Sequence, residues 1–305
     1  MIETWAQQLI NGLTIGGMYT LVAVGFTLFF GVLRLINFAH GEVFMLGGFV
    51  GLVVAWSAEG LGITNGIIIV LLMFLIAMGV CAIIGAVMER FAYRPVRGMP
   101  VLIMLVTSLA VGIVVREAVK EFFPEGANPH AFFSPFKYES INFGSVILDY
   151  TQLGLIISSL LLVYGVHLLV TKTWVGRAMR ATSEDLDAAR MMGIESDVVI
   201  RNTFFLGSAL GGAAGVMNGL YYLSIRFDMG WVMAIKGFTA AVIGGLGNVY
   251  GAMFGGYIVA AVEVLTVALI PEGSRYKDVF VFLLLILVLV FRPSGLLKTP
   301  AQKMG

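Results

Sequence analysis

Charged residues are scarce in this sequence. Only 12% of its 305 residues are Asp, Glu, Lys or Arg, and 59% are hydrophobic, whereas soluble proteins average about 25% charged residues. The composition therefore predicts an integral membrane protein in contact with lipid. The formal net charge is +1, so the sequence lacks the clustered basic face that a nucleic-acid partner requires, and we expect no nucleic acid among its ligands.

Cysteine and the common catalytic motifs are also scarce. The single cysteine, Cys81, excludes an intrachain disulfide. The sequence has no Gly-x-x-x-x-Gly-Lys-Ser/Thr loop, so it lacks a phosphate cradle for ATP. His40 and Glu42 lie two residues apart and cannot face one side of a helix, which disfavours a metal site. We therefore expect a protein that is not an enzyme and binds no cofactor itself.

Apolar segments fill most of the chain. A membrane span needs about 20 mostly apolar residues. The stretch 237–270 is too long for one span and too short for two, so we interpret it as a half-helix, a glycine-rich break over 244–251 and a full span. The prediction is an all-α integral membrane protein, a single polytopic domain over residues 1–305 with one broken or re-entrant segment. Its approximately eight transmembrane helices lie at residues 9–33, 43–56, 65–88, 101–119, 153–170, 199–223, 252–270 and 279–291.

The glycine-rich break is a candidate functional segment. Irregular backbone at membrane depth is tolerated only where it is buried in protein or lines a cavity. We therefore expect the break to line the translocation path or to support a helix end through Gly244, Gly245, Gly247 and Asn248.

A faint internal echo accompanies this break. Residues 45–50 read MLGGFV and residues 253–258 read MFGGYI, and each segment follows an irregular stretch and enters a span that runs outward. Two parallel repeats, as in some transporter folds, would explain the echo. The alternative is that paired glycines recur by chance in apolar runs.

A second irregular stretch, residues 34–42, carries the least common chemistry. A carboxylate near the centre of a transmembrane helix costs about 2.5–3.5 kcal/mol, so Glu42 should face a partner or water. Asn37, His40 and Glu42 could line the path or brace a broken helix. Alternatively, the stretch lies at the inner interface, where Glu42 pairs with Arg34 and His40 is solvated. Glu263, in the middle of a span, could likewise line the path or bind a neighbouring helix.

The longest polar run, residues 172–201, separates two apolar segments. Ser183 is predicted to cap a helix from Glu184 to Met192, and Gly193 to end it. Asp185, Ala188 and Met192 share one side of this helix, and Ala189 lies on another. The helix is too short to fold alone, so it must pack on this protein or on a partner, unless the run is only a solvated loop. Twelve Lys and Arg residues lie near the predicted inner ends and seven near the outer ends, which favours a cytoplasmic run.

Three separated stretches resemble one known family. Residues 11–27 read NGLTIGGMYTLVAVGFT, residues 36–42 read INFAHGE, and residues 236–252 read KGFTAAVIGGLGNVYGA. These stretches, together with the run from Gly176 to Ile194, are similar to the LivH-type permeases of branched-chain amino acid ABC importers. The resemblance spans nearly the whole chain.

The resemblance implies a role and a set of partners. It implies a permease subunit in the bacterial inner membrane that forms half of a translocation path, paired with a second, LivM-like permease. Two cytoplasmic ATPases, which would hold the ATP and magnesium, would supply energy, and a periplasmic binding protein would deliver the solute. On this resemblance the coupling helix that docks on an ATPase contains Ser183, Glu184, Asp185, Ala188, Ala189, Met192 and Gly193. The alternative function is a stand-alone secondary transporter or channel for a small solute.

Overall fold

The computed structural model describes residues 2–136, 140–143 and 146–297, which are mostly α-helical. Four short strands lie in the connections of this described part: β1 (His130–Ala131), β2 (Ser140–Phe143), β3 (Val146–Asp149) and β4 (Ser224–Ile225). The strand pairs β1–β4 and β2–β3 are both antiparallel. The helices are α1 (Ile2–Leu33), α2 (His40–Gly60), α3 (Gly66–Met88), α4 (Val101–Phe122), α5 (Tyr150–Lys172), α6 (Trp174–Glu184), α7 (Leu186–Met191), α8 (Ser196–Tyr222), α9 (Met229–Gly244), α10 (Val249–Leu269) and α11 (Gly273–Phe291).

Six helices in the described part of the chain are long and apolar enough to cross a membrane, namely α1 to α5 and α10. An all-α membrane protein was therefore the right class. The expected number of about eight spans is not reached on length and composition. Helix α8 has 27 residues but is rich in Gly, Ala and polar side chains, and α11 begins with three charged residues in its first turns.

The helices form a buried centre and a periphery. Within their most apolar windows, 83% of α1 and 72% of α2 are buried by the rest of the chain, against 11% of α4 and 22% of α5. Helices α1 and α10 run antiparallel, because Gly12 lies against Val264 and Gly31 lies against Gly247. In a bilayer, such close approach at small residues replaces the hydrophobic effect as the source of helix association. The outer faces of α3, α4 and α5 are thus available to lipid or to another subunit.

The break between α9 and α10 is shorter than the predicted 244–251. Helix α9 ends at Gly244, and α10 begins at Val249. Gly245 and Gly247 take positive φ values of 110° and 88°, which are strained for residues with a Cβ. The side chain of Asn248 accepts a hydrogen bond from Gly251 N and caps α10. The break lies level with Gly31, near the end of α1.

Candidate functional site

The polar run between α5 and α8 contains two helices. The predicted cap at Ser183 is wrong: its hydroxyl donates to Arg180 O at 2.7 Å, close to the end of α6. Asp185 is the cap of α7, and its Oδ1 accepts from Asp187 N and Ala188 N at 2.9 Å each. The extended backbone of Asp185 (φ −150°, ψ 113°) lets its short carboxylate reach both amide groups. The predicted helix of residues 184–192 is therefore divided at this residue.

The short helix α7 exposes charged side chains, Asp187 and Arg190, and ends in two exposed methionines. Ala189 is buried against the chain, whereas Met191 and Met192 are each 83% exposed. Glu184 and Gly193 are also exposed, Ala188 is partly buried, and Gly193 follows the helix with a φ of 82°. Flexible, polarisable methionine side chains are common at surfaces that bind other proteins. We call α6, α7 and residues 192–195 the α6–α7 segment.

The α6–α7 segment is braced against α8. Ala178 and Met179 of α6 form a small buried cluster with Val199 of α8. Two residues before Val199, the carboxylate of Asp197 pairs with Arg94 and, at 2.5 Å, with Arg97. Arg97 also pairs with Glu89, which is only 3% exposed in its side chain. A displacement of the segment would therefore also displace the residues at the end of α3, through these ion pairs.

The irregular stretch 34–39 folds back into the protein. The ring of His40 packs edge-on to Phe26 and Phe29, with centroid distances of 5.0 and 5.1 Å. Helix α2 thus begins about two turns above the end of α1. Asn37 Oδ1 accepts a hydrogen bond of 2.5 Å from the hydroxyl of Tyr93. His40 is fully buried, so the alternative in which it is solvated is wrong.

Glu42 lies in the first turn of α2 with only 4% of its surface exposed. Its neighbours include glycines of two other helices. A Cβ on Gly230 would lie 2.5 Å from Glu42 Oε2, and a Cβ on Gly112 would lie 3.4 Å from Glu42 Cγ. The carboxylate therefore sits between α4 and the beginning of α9.

The carbonyl groups at the end of α9 are satisfied by a distant part of the chain. Leu296 N donates to Ile243 O at 2.8 Å, and Leu297 N donates to Gly244 O at 3.1 Å. The last carbonyls of a helix have no partner within the helix. The segment after α11 supplies their partners, which makes irregular backbone tolerable at this depth.

Glu263 belongs to a cluster of four charged side chains from three helices, joined by a tyrosine of a fourth helix; Glu263 and Lys236 are its buried members. Its Oε2 lies 3.2 Å from Lys236 Nζ of α9, and its Oε1 lies 2.6 Å from Lys277 Nζ of α11. Lys236 also pairs with Asp278 at 2.7 Å, and Tyr19 of α1 donates its hydroxyl to Glu263 at 2.5 Å. The two lysines and two carboxylates balance, so the cluster is neutral. Sequence reasoning selected Glu263 but missed its partners, which lie in other elements.

The candidate residues do not converge on one centre. The α6–α7 segment and the charge cluster lie towards opposite ends of α8. The irregular stretch connects α1 to α2, and the break connects α9 to α10. Among the described residues, no group of three His, Cys, Asp or Glu side chains is placed to hold a metal ion.

Comparison with known proteins gives a consistent result. The model of the family described as "Branched-chain amino acid transport system / permease component" matches residues 8–289. The permease protein BraD of a high-affinity branched-chain amino acid transport system in Pseudomonas aeruginosa is 37% identical, covering 98% of this chain and 97% of BraD. Its counterpart LivH of Escherichia coli K12 is 38% identical over 96% of each chain. A probable branched-chain amino acid permease of Methanocaldococcus jannaschii is 25% identical over 94% of this chain and 90% of its own length.

Proposed function

The chain belongs to the family of branched-chain amino acid transport permeases, and from this premise we propose that it is a membrane subunit of an ABC importer for these amino acids. It forms half of the translocation path and has no ATP site of its own. The observation that carries the proposal is the similarity to BraD and LivH over nearly the full length of all three chains. Multiple apolar helices agree with a multi-pass membrane protein.

The partners follow from this role. A second, LivM-like permease completes the path, two cytoplasmic ATPases hold ATP and magnesium, and a periplasmic binding protein delivers the amino acid. The protein lies in the bacterial inner membrane, where α8 and α11 join the six apolar helices as spans seven and eight. Helix α8 suits this role despite its lower hydropathy, because most of its residues are buried by neighbouring helices.

The α6–α7 segment is the coupling element in this proposal. Its two exposed methionines provide the apolar surface that an ATPase groove would cover, and Ala189 fixes α7 to the chain. Asp185 shapes the segment rather than contacting the ATPase. Closure of the ATPases would move the segment, and the Asp197 ion pairs with Arg94 and Arg97 connect that movement to the end of α3.

Other candidate residues support the helices that surround the path. In this proposal Asn37 and His40 fix the start of α2, whereas Gly245, Gly247 and Asn248 allow α10 to begin beside α1. The two irregular stretches are equivalent parts of a parallel repeat. In support, residues 45–50 of α2 and 253–258 of α10 each lie in a helix that follows such a stretch.

Co-purification tests the proposal. One affinity tag on this chain should recover a second hydrophobic protein and soluble ATPases from detergent extracts. In proteoliposomes the recovered complex should transport leucine only when ATP is present on the side of the ATPases and the binding protein is present on the opposite side. The rival function, a secondary transporter or channel, requires uptake by the purified chain alone, and observing such uptake would refute the proposal.

A further inference from the structure

A cleft of about 290 Å³ opens where α8 ends and α9 begins. Its rim carries the exposed residues Tyr222 and Arg226, and its floor includes Tyr19 and Lys236, which are 2% and 4% exposed. A helix of 27 residues is about 40 Å long, so the cleft lies some 40 Å from the α6–α7 segment, at the other end of α8. It therefore faces the side from which an importer receives its solute. Its volume is near the lower end of the roughly 300–1,000 Å³ typical of small-molecule pockets.

The charges at the rim can still rearrange. Arg226 and Asp228 form an ion pair of 2.7 Å, with side chains 58% and 46% exposed. Exposed pairs of this kind contribute only about 0–1 kcal/mol, so a ligand can take over either partner at low cost. A guanidinium has five donors and binds carboxylates through two parallel hydrogen bonds. The rim thus offers one cation and one anion side by side.

The floor, by contrast, is closed. Lys236 Nζ lies 3.2 Å from the hydroxyl oxygen of Tyr19, 3.2 Å from Glu263 Oε2 and 2.7 Å from Asp278 Oδ1. An ammonium group has three donors, so these three oxygens account for all of them. The cluster is neutral and leaves no spare charge to capture a ligand. Between rim and floor the wall is largely apolar, formed by Met229, Val232 and Met233 among others.

From this arrangement we propose that the cleft is an entry site for a free α-amino acid with an apolar side chain. Arg226 takes the carboxylate, Asp228 takes the ammonium group, and the side chain contacts Met229, Val232 and Met233. The neutral cluster below closes the inner end of the site. The identity of the amino acid rests on the proposed function; the zwitterion chemistry rests on the cleft itself.

Cysteine labelling tests the site directly. Cys81 is buried, so Val232→Cys, at a position 46% exposed, would provide the reactive thiol of the cleft. In the complete importer without binding protein, leucine should slow its modification by a water-soluble methanethiosulfonate. The slowing should be roughly tenfold at ten times the dissociation constant. Leucinol and isocaproate each lack one charge and should protect at higher concentrations only. The matched control is Val53→Cys in α2, at a position that is 43% exposed and does not line the cleft. Leucine should not change its rate of modification.

Charge substitutions at the rim provide the second arm. In the Val232→Cys background, Arg226→Gln or Asp228→Asn should raise the leucine concentration for half-protection on the order of tenfold, as expected for a charge-assisted hydrogen bond. Equal labelling rates with and without leucine, in complexes that import leucine with ATP, would overturn the entry site and leave the proposed function intact. Protection by substrate-free binding protein but not by leucine would instead assign the cleft to protein docking. Absence of ATP-driven import by the unsubstituted complex would refute the proposed function itself.

Discussion

The cap of α7 gives the sharpest test of the coupling segment. Asp185→Ala removes the acceptor of two amide hydrogen bonds of 2.9 Å each. Loss of an N-cap costs about 1 kcal/mol, within a range of 0.5–2. Helix α7 has six residues, whereas isolated helices shorter than about 12–15 residues are marginal. The cap and the buried contact of Ala189 therefore decide whether α7 is ordered.

A loss of about 1 kcal/mol lowers the ratio of ordered to disordered α7 by roughly fivefold. If an ordered α7 transmits ATPase closure, leucine imported per ATP hydrolysed should fall by up to about the same factor in proteoliposomes that contain the complete importer. The basal ATPase rate should persist, because the ATPase sites are on other subunits. Membrane insertion of the variant should also be normal.

Two controls separate the loss of the hydrogen-bond acceptor from the loss of the negative charge. Asp185→Asn keeps a side-chain carbonyl that can accept the same hydrogen bonds and should retain most of the coupling. Asp187→Ala removes an equal charge from a side chain that is 86% exposed and pairs only loosely with Arg190, at 3.5 Å, so it should have little effect. The reasoning is refuted if the alanine variant of Asp185 keeps the wild-type ratio, or if the asparagine variant is equally impaired.

Three further substitutions test the packing around the candidate residues. Gly245→Ala should lower the thermal unfolding temperature in detergent, because φ is 110° and the new Cβ would lie 2.5 Å from a backbone oxygen. The backbone strain costs about 1–2 kcal/mol. The control Gly79→Ala, with open space around its Cβ, should not destabilise the protein. Tyr93→Phe should destabilise by about 1–3 kcal/mol because a buried amide oxygen loses its donor, and an unchanged unfolding temperature would contradict this. Lys236→Met and Glu263→Met should each destabilise the protein by leaving the cluster with an unbalanced charge. The cost should stay below the about 3–5 kcal/mol of an isolated buried pair, because Asp278 still pairs with Lys236 and Lys277 still pairs with Glu263. The double variant should cost less than the sum of the two; strict additivity would show that the pair does not interact.

The apolar runs predicted where the helices lie, and local chemistry predicted several of their ends. The break between α9 and α10 follows from glycines that tolerate positive φ and from an asparagine that can cap a helix. The cap of α7 was misplaced because Ser183 and Asp185 are both good N-cap residues. The backbone conformation at Asp185 selects it, and the sequence pattern does not contain that information.

Contacts between distant segments could not be predicted in the same way. Lys236 and Glu263 are 27 residues apart. Lys236 and Lys277 were counted among the seven basic residues near the outer ends of spans, rather than placed beside a buried carboxylate. The hydrogen bond between Tyr93 and Asn37 joins residues 56 apart. Such partners depend on which helix faces pack together, which one sequence does not specify. The roles of the coupling and path residues remain predictions.

The central claim is that the α6–α7 segment lies in the cytoplasm and binds an ATPase subunit. Met192→Cys places a thiol at a position that is 83% exposed, while the natural Cys81 is buried. In intact cells this thiol should be unreachable by a membrane-impermeant maleimide, and in the assembled complex a short bifunctional reagent should cross-link it to the ATPase subunit. Labelling from outside the cell, or cross-linking to the periplasmic binding protein instead, would contradict the account.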